Sequence, residues 1–149
     1  MIRVVRTDSS NVDFINLVAK LDKDLAIRDG NEHAFYAQFN SISTIKHALV
    51  LHHNEMPVAC GAIKEYNLEC MEIKRMYVEQ EYRGNGFATR ILKELEIWAK
   101  ELDYKSLVLE TGLKQPEAIA LYKKNGYQII PNYGQYIGVE NSVCFIKEL

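Results

Sequence analysis

The sequence predicts a mixed α/β (α+β) domain, with one central, mostly antiparallel sheet of about seven strands and helices packed on both faces. Three observations lead there. Between residues 47 and 78, three β-type runs are joined by tight turns, which implies an antiparallel meander. After them, Phe87, Ala88, Ile91, Leu92, Leu95, Trp98, Ala99 and Leu102 recur at helical spacing. Strand and helix signals then continue in alternation to the end of the 149 residues, with no repeat, low-complexity tract or linker. One domain over residues 1–149 is therefore expected.

Residues 2–6 alternate as a first strand. Thr7, Asp8, Ser9, Ser10 and Asn11 then offer caps for a helix carried by Val12, Ile15, Leu17, Val18, Leu21 and Leu25. Asp29-Gly30-Asn31 breaks that helix, and Phe35, Tyr36 and Phe39 suggest a second within residues 26–45. The meander follows: residues 48–51, a turn at 54–57, residues 58–65, a turn near Asn67, and residues 70–78. Beyond the long helix, residues 106–110 form a buried-type strand, and Pro116 opens a helix that Gly126 stops. Residues 127–130 and 143–146 make the last two strands. The intervening loop, 131–141, is rich in Tyr and Gly.

A content of 48% hydrophobic and 26% charged residues is that of a globular domain, and a net charge of −2 exerts no general pull toward nucleic acid or an anionic membrane. Any anion site must be local. No apolar run approaches the ~20 residues a membrane span needs, and no leader opens the chain, so a cytoplasmic protein is expected. Cys60, Cys70 and Cys144 are odd in number and lack Cys-x-x-Cys pairing, which suits a reducing compartment. Cys60 reads as a small core residue. His52 and His53 point to opposite faces of a strand and cannot chelate one ion together, so no metal is expected. No Ser-His-Asp or Cys-His spacing points to a covalent intermediate.

The chemistry concentrates in Arg83-Gly84-Asn85-Gly86-Phe87-Ala88-Thr89, which lies between the strand run 72–78 and the long helix. Glycines entering a helix N-terminus leave main-chain N–H groups and the positive end of the dipole facing a ligand, an arrangement that suits a phosphate or pyrophosphate. The spacing is neither the Gly-x-Gly-x-x-Gly of a dinucleotide fold nor the Gly-Lys-Ser/Thr of a nucleoside triphosphate loop. It resembles the acyl-coenzyme A signature of the GNAT family of N-acetyltransferases, Gln/Arg-x-x-Gly-x-Gly/Ala, which Arg83, Gly86 and Ala88 match. Residues 115–127 resemble a second segment of that family, Asn-x-x-Ala-x-x-Leu-Tyr-x-x-x-Gly-Phe/Tyr. Ala118, Leu121, Tyr122, Gly126 and Tyr127 match it, and Gln115 departs from it by one methylene. The element order is also the family's. The resemblance covers nearly the whole chain and is specific from residue 72 to 127.

The resemblance implies a GNAT-type fold and an N-acetyltransferase that uses acetyl-coenzyme A as co-substrate and passes acetyl directly to a primary amine, of a small molecule. It also admits a homodimer. Main-chain groups of Met76, Tyr77 and Val78 would hold the pantetheine arm, residues 83–89 the pyrophosphate, and Gln115 and Ala118 the rest of the cofactor. Ala118 and Tyr122 share a helical face, and by resemblance Tyr122 would protonate the departing thiolate. An amine with pKa near ~10.4 must lose a proton to attack. Glu72 is the first candidate base, read by strict alternation as sharing a face with Lys74, Met76 and Val78, and Glu110 is its rival at the end of the next strand. Arg75 and Arg83 could pair phosphates or merely solvate the surface; Arg83 gains weight from its motif position, and Arg75 gains none. Tyr36, Tyr133 and Tyr136 are expected to line the acceptor side. Two other classes stand against this reading: a non-catalytic acyl-coenzyme A sensor, and an enzyme that uses the glycine loop for a different nucleotide.

Overall fold

The computed structural model describes residues 1–30 and 45–149. The second helix expected around Phe35, Tyr36 and Phe39 lies outside the described residues. The chain runs β1 (Ile2–Thr7), α1 (Val12–Asp29), β2 (His47–His53), β3 (Met56–Asn67), β4 (Cys70–Val78), α2 (Phe87–Glu101), β5 (Ser106–Gly112), α3 (Pro116–Lys124), β6 (Gln128–Ile130) and β7 (Ser142–Glu148). Seven strands form one sheet in the order β1-β2-β3-β4-β5-β7-β6, in which only β4 and β5 pair in parallel.

Local chemistry accounts for the boundaries. Of the five candidate caps, Asn11 is the one used: its side chain accepts from the Phe14 N–H at 3.0 Å. Gly30 ends α1 at φ 58, with its N–H bonded to the Ala26 carbonyl. Asn54 and Glu55, at φ 50 and 70, make the two-residue turn between β2 and β3, the hand of turn that fits twisted strands. No helix among the described residues is long and apolar enough to cross a membrane.

The sheet divides the core in two. On one face Phe14, Leu17 and Val18 of α1 pack on Ala48, Val50, Cys60 and Ala62; on the other, Ile91, Leu92, Leu95 and Ala99 of α2 pack on Leu49, Leu51, Ala59 and Ile63. Tyr122 of α3 joins the second cluster beside Phe145 and Leu109. Helices on both faces therefore stand as expected.

Strict alternation fails at one place in β4. Cys60 pairs with Tyr77 but Ala62 with Lys74, so β4 carries one residue more than β3 over this interval. Arg75 absorbs the excess at φ 61. The faces switch there: Tyr77 packs with the α1 cluster, whereas Met76 and Val78 join Met71 and Ile73 beneath α2. Glu72 and Lys74 therefore do not share a face with Met76 and Val78, which corrects the period-2 expectation. Opposite the bulge, Gly61 lets α2 approach closely: a Cβ there would sit 2.6 Å from Ile91 Cγ2 and 2.7 Å from Met76 Sδ.

Gly61→Ala is expected to lower stability by about 1–3 kcal/mol, because Ile91 is fully buried and must move. Urea unfolding of both proteins measures this, and an unchanged midpoint would mean that α2 does not rest on Gly61.

Candidate active site

The bulge bends β4, and its parallel pairing with β5 ends soon after it begins. Cys70, Met71 and Glu72 pair with Ser106, Leu107 and Val108, and the register stops there. Past that point β4 runs on to Val78 and β5 to Gly112 without pairing with each other, while β4 stays paired with β3 and β5 with β7. A cleft of about 480 Å³ opens here, lined by β4 from Glu72 to Val78, the glycine loop, the end of β5, α3 and the inner face of α1.

At one end stands the start of α2. Gly84 and Gly86 hold φ 83 and 78, and a Cβ on either would meet nothing within 4 Å, so it is backbone conformation that requires glycine here. Gly86 is the N-cap and makes no side-chain cap hydrogen bond; the ladder begins with the Arg90 N–H on the Gly86 carbonyl at 3.0 Å. The N–H groups of residues 87–89 therefore have no intrahelical acceptor and border the cleft. Arg83 is folded back along β4. Its Nε donates to the Val78 carbonyl at 2.9 Å, its guanidinium lies 5.7 Å from the Tyr77 ring centre, and Nη2 is 3.8 Å from Asp24.

Tyr122 stands in the wall formed by α3, packed edge-on to Tyr127 at 5.8 Å and tilted against Phe145 at 5.7 Å. Burial, and after it the negative charge of Glu110, pushes its phenol well above the ordinary value, so it keeps its proton at neutral pH. Glu72 is 8% exposed. Its Oε1 is 3.6 Å from Lys74 Nζ, and its Oε2 accepts from the Tyr133 hydroxyl at 2.5 Å. Glu110, half-buried at the far end of β5, lines the same cleft. Tyr136 closes the space from the loop, 5.9 Å from the Tyr133 ring and nearly perpendicular to it.

One cleft thus collects Glu72, Met76, Tyr77, Val78, Arg83, Gly84, Gly86, Phe87, Ala88, Thr89, Glu110, Gln115, Ala118 and Tyr122. Asn85 is not among its lining residues; its side-chain amide donates to the Tyr82 carbonyl at 2.9 Å and so braces the loop. Of the expected acceptor-side tyrosines, Tyr136 lines the cleft, Tyr133 reaches it through Glu72, and Tyr36 lies outside the described residues. His52 faces Asp13 on α1 at 3.4 Å, while His53 meets Tyr82 and Phe87 on the other side. Cys60 is fully buried, and burial pushes its thiol far up.

Several contributors had been passed over. Lys74 lines the cleft between Glu72 and the bulge, and Leu21, Asp24 and Leu25 face it from α1. The spacing of Leu21 and Leu25 was visible, but the target of that face was not. Arg75 neither solvates the surface nor stands free for a phosphate. Its side chain is 4% exposed and pairs with Asp22 of α1 at 2.8 Å, while its carbonyl accepts from the Cys60 thiol at 3.3 Å. Among the described residues no group of three His, Cys, Asp or Glu is gathered as a metal site requires.

Known proteins supply the class of this architecture. A Klebsiella pneumoniae protein solved under the name acyl-CoA N-acyltransferase matches with a TM-score of 0.84 and 30% identity over 100% of this chain and 98% of its own. An acetyltransferase of Elizabethkingia anophelis, solved with acetyl-CoA bound, shares the fold at a TM-score of 0.72 and 19% identity, over 99% of this chain and 98% of its own. The acetyltransferase (GNAT) family matches residues 15–127, and the chain belongs to that family. Among curated relatives, the IAA acetyltransferase of Azospirillum brasilense is 36% identical over 89 residues, 59% of this chain and 58% of its own. The N-acetyltransferase YsnE of Bacillus subtilis is 33% identical over 92 residues, 60% of this chain and 61% of its own. The matched region thus spans about three fifths of each of these two relatives.

Asp22→Ala strips the partner from the buried Arg75 guanidinium. Asp22 is half exposed, so water screens part of the loss, and a destabilisation of about 1–3 kcal/mol is expected. Denaturant titration measures it, and a change inside experimental error would show that the pair does not secure the bulge.

Proposed function

We propose that the protein transfers acetyl from acetyl-coenzyme A to the primary amine of a small molecule, by direct attack with both substrates bound, in the cytoplasm. The observation that carries this reading is one continuous cleft lined both by an uncapped, glycine-opened helix start and by a buried, protonated tyrosine. The two features suit the pyrophosphate and the thioester of acetyl-coenzyme A. The N–H groups at the start of α2 and the outer nitrogens of Arg83 hold the pyrophosphate. The main chain of Met76, Tyr77 and Val78, free of β5, takes the pantetheine arm and gives an N–H to the thioester carbonyl as negative charge develops on it. Gln115 and Ala118 border the cofactor from α3.

In the transfer the amine nitrogen bonds to the thioester carbon and the carbon–sulfur bond breaks. Glu72, directly or through a water, removes the amine proton, with Glu110 as the alternative base. Tyr122 gives its proton to the sulfur, so the products are the amide and the free thiol. Carboxylates at the acceptor end favour an ammonium over an anionic acceptor. The name of the Azospirillum relative supports a small-molecule acceptor, and the relative solved with acetyl-CoA supports the donor. The three cysteines, all buried and unpaired, suit a reducing compartment.

Calorimetry with acetyl-coenzyme A, followed by thiol release against an alkylamine, an arylalkylamine, an amino acid and a polyamine, tests the reading. Binding with amine-dependent release is expected; absence of binding would sink it. Tyr122→Phe is expected to lower kcat about 10²–10⁴-fold with little change in acetyl-coenzyme A affinity, and a wild-type kcat would remove Tyr122 from the chemistry. Because burial raises the phenol above its ordinary value of 10.0, its proton-donating form persists through the neutral range. Any alkaline fall in kcat that disappears in Tyr122→Phe should therefore lie above pH 10, and a Tyr122-dependent fall below it would contradict this assignment.

A further inference from the structure

We infer that Tyr133 is a positioning residue for Glu72, donating a fixed hydrogen bond that holds the carboxylate oriented at the acceptor end of the cleft. This rests on the proposed role of Glu72 as base. The contact joins two residues 61 positions apart, a half-buried loop hydroxyl and a carboxylate on β4, at 2.5 Å. A bond of that length to a carboxylate is of the charge-assisted kind.

The ring that carries the hydroxyl is held on both sides. Tyr66 of β3 meets it at 5.0 Å and 73°, and Tyr136 meets it at 5.9 Å and 87°. Two edge-to-face contacts fix the plane of Tyr133 and so the direction of its O–H. The phenol remains a donor: burial, and then the charge of Glu72, push its ionisation far up. On the other carboxylate oxygen, Lys74 Nζ stands at 3.6 Å. Glu72 is thus bracketed, with a neutral donor on Oε2 and a cation beside Oε1.

Further titratable groups surround the carboxylate. Lys64 of β3 is the register partner of Glu72 and is exposed. Glu110 of β5 and Tyr136 of the loop share the cleft, and Cys70 and Cys144 feel the charge of Glu72. Tyr133 offers Glu72 a neutral hydrogen bond from an element outside the sheet. Loss of that donor leaves the carboxylate free to turn about its side-chain torsions, so that it meets the amine in the productive orientation less often.

The test measures kcat and both KM values with the full chain and the panel amine of highest kcat/KM. Tyr133→Phe keeps the ring and removes the hydroxyl. It should lower kcat about tenfold while the amine KM and the acetyl-coenzyme A affinity change little. Lys74→Met should split kcat from KM in the same way and serves if the first variant folds poorly. Glu72→Gln should lose at least about 10²-fold in kcat/KM. A large loss in Glu72→Gln with an unchanged kcat in both other variants would overturn the positioning role and leave Glu72 as base. Near wild-type activity in Glu72→Gln would overturn the base assignment and the positioning role together.

Discussion

An arginine held at φ 61 in the middle of β4 is the constraint from which the cleft follows. Left-handed backbone costs a residue with a Cβ about 1–2 kcal/mol, and here it is compensated from three directions. Asp22 pairs with the guanidinium, the Cys60 thiol donates to the carbonyl, and Gly61 leaves room on the opposing strand. The single extra residue has two results. It sends Met76 and Val78 into the core beneath α2, and it lies just past Glu72, where the pairing of β4 with β5 ends. Main-chain groups that a regular sheet would consume are left facing a cavity.

A nearly balanced chain builds a polarised cleft by placement. The positive end is made by the start of α2 and Arg83, where the charge is partly main-chain in origin and needs no basic sequence. Glu72 and Glu110 line the same cleft from β4 and β5, whose mutual pairing ends at Glu72. The net charge of −2 describes neither group. Asp24 complicates the positive end, since it reaches Arg83 from α1 at 3.8 Å and must yield to any phosphate that approaches the same nitrogen.

What could be read in the sequence was what is local. The glycine loop, the helix after it and the face shared by Ala118 and Tyr122 all depend on neighbours within four residues, and the β4 boundaries, Cys70–Val78, were visible from its flanking turns. The bulge escaped because Lys74-Arg75-Met76 contains no Gly, Asn or Asp to mark a positive φ. Alternation was carried straight through it, and Glu72 was placed on the wrong face relative to Met76 and Val78. Gly61 did hold a signal, as glycine within a strand marks a close approach or a bulge. The Arg75–Asp22 pair joins residues 53 apart, so an arginine that looked like surface proved to be buried.

The acceptor side was the least legible part for a related physical reason. Loop 131–141 takes its order from side chains: the tyrosine rings, a bond from the Asn132 amide to the Val139 carbonyl, and the Tyr133 hydroxyl on Glu72. None of these has a period that a sequence can display. On the reading proposed above, the loop that shapes the acceptor pocket also holds the base through Tyr133. Altering that loop therefore changes which amine fits and how readily its proton is taken, two properties that a fold with its base on an isolated strand would keep separate. On that reading acceptor choice and the placing of the base are physically linked, and the link is a single hydroxyl.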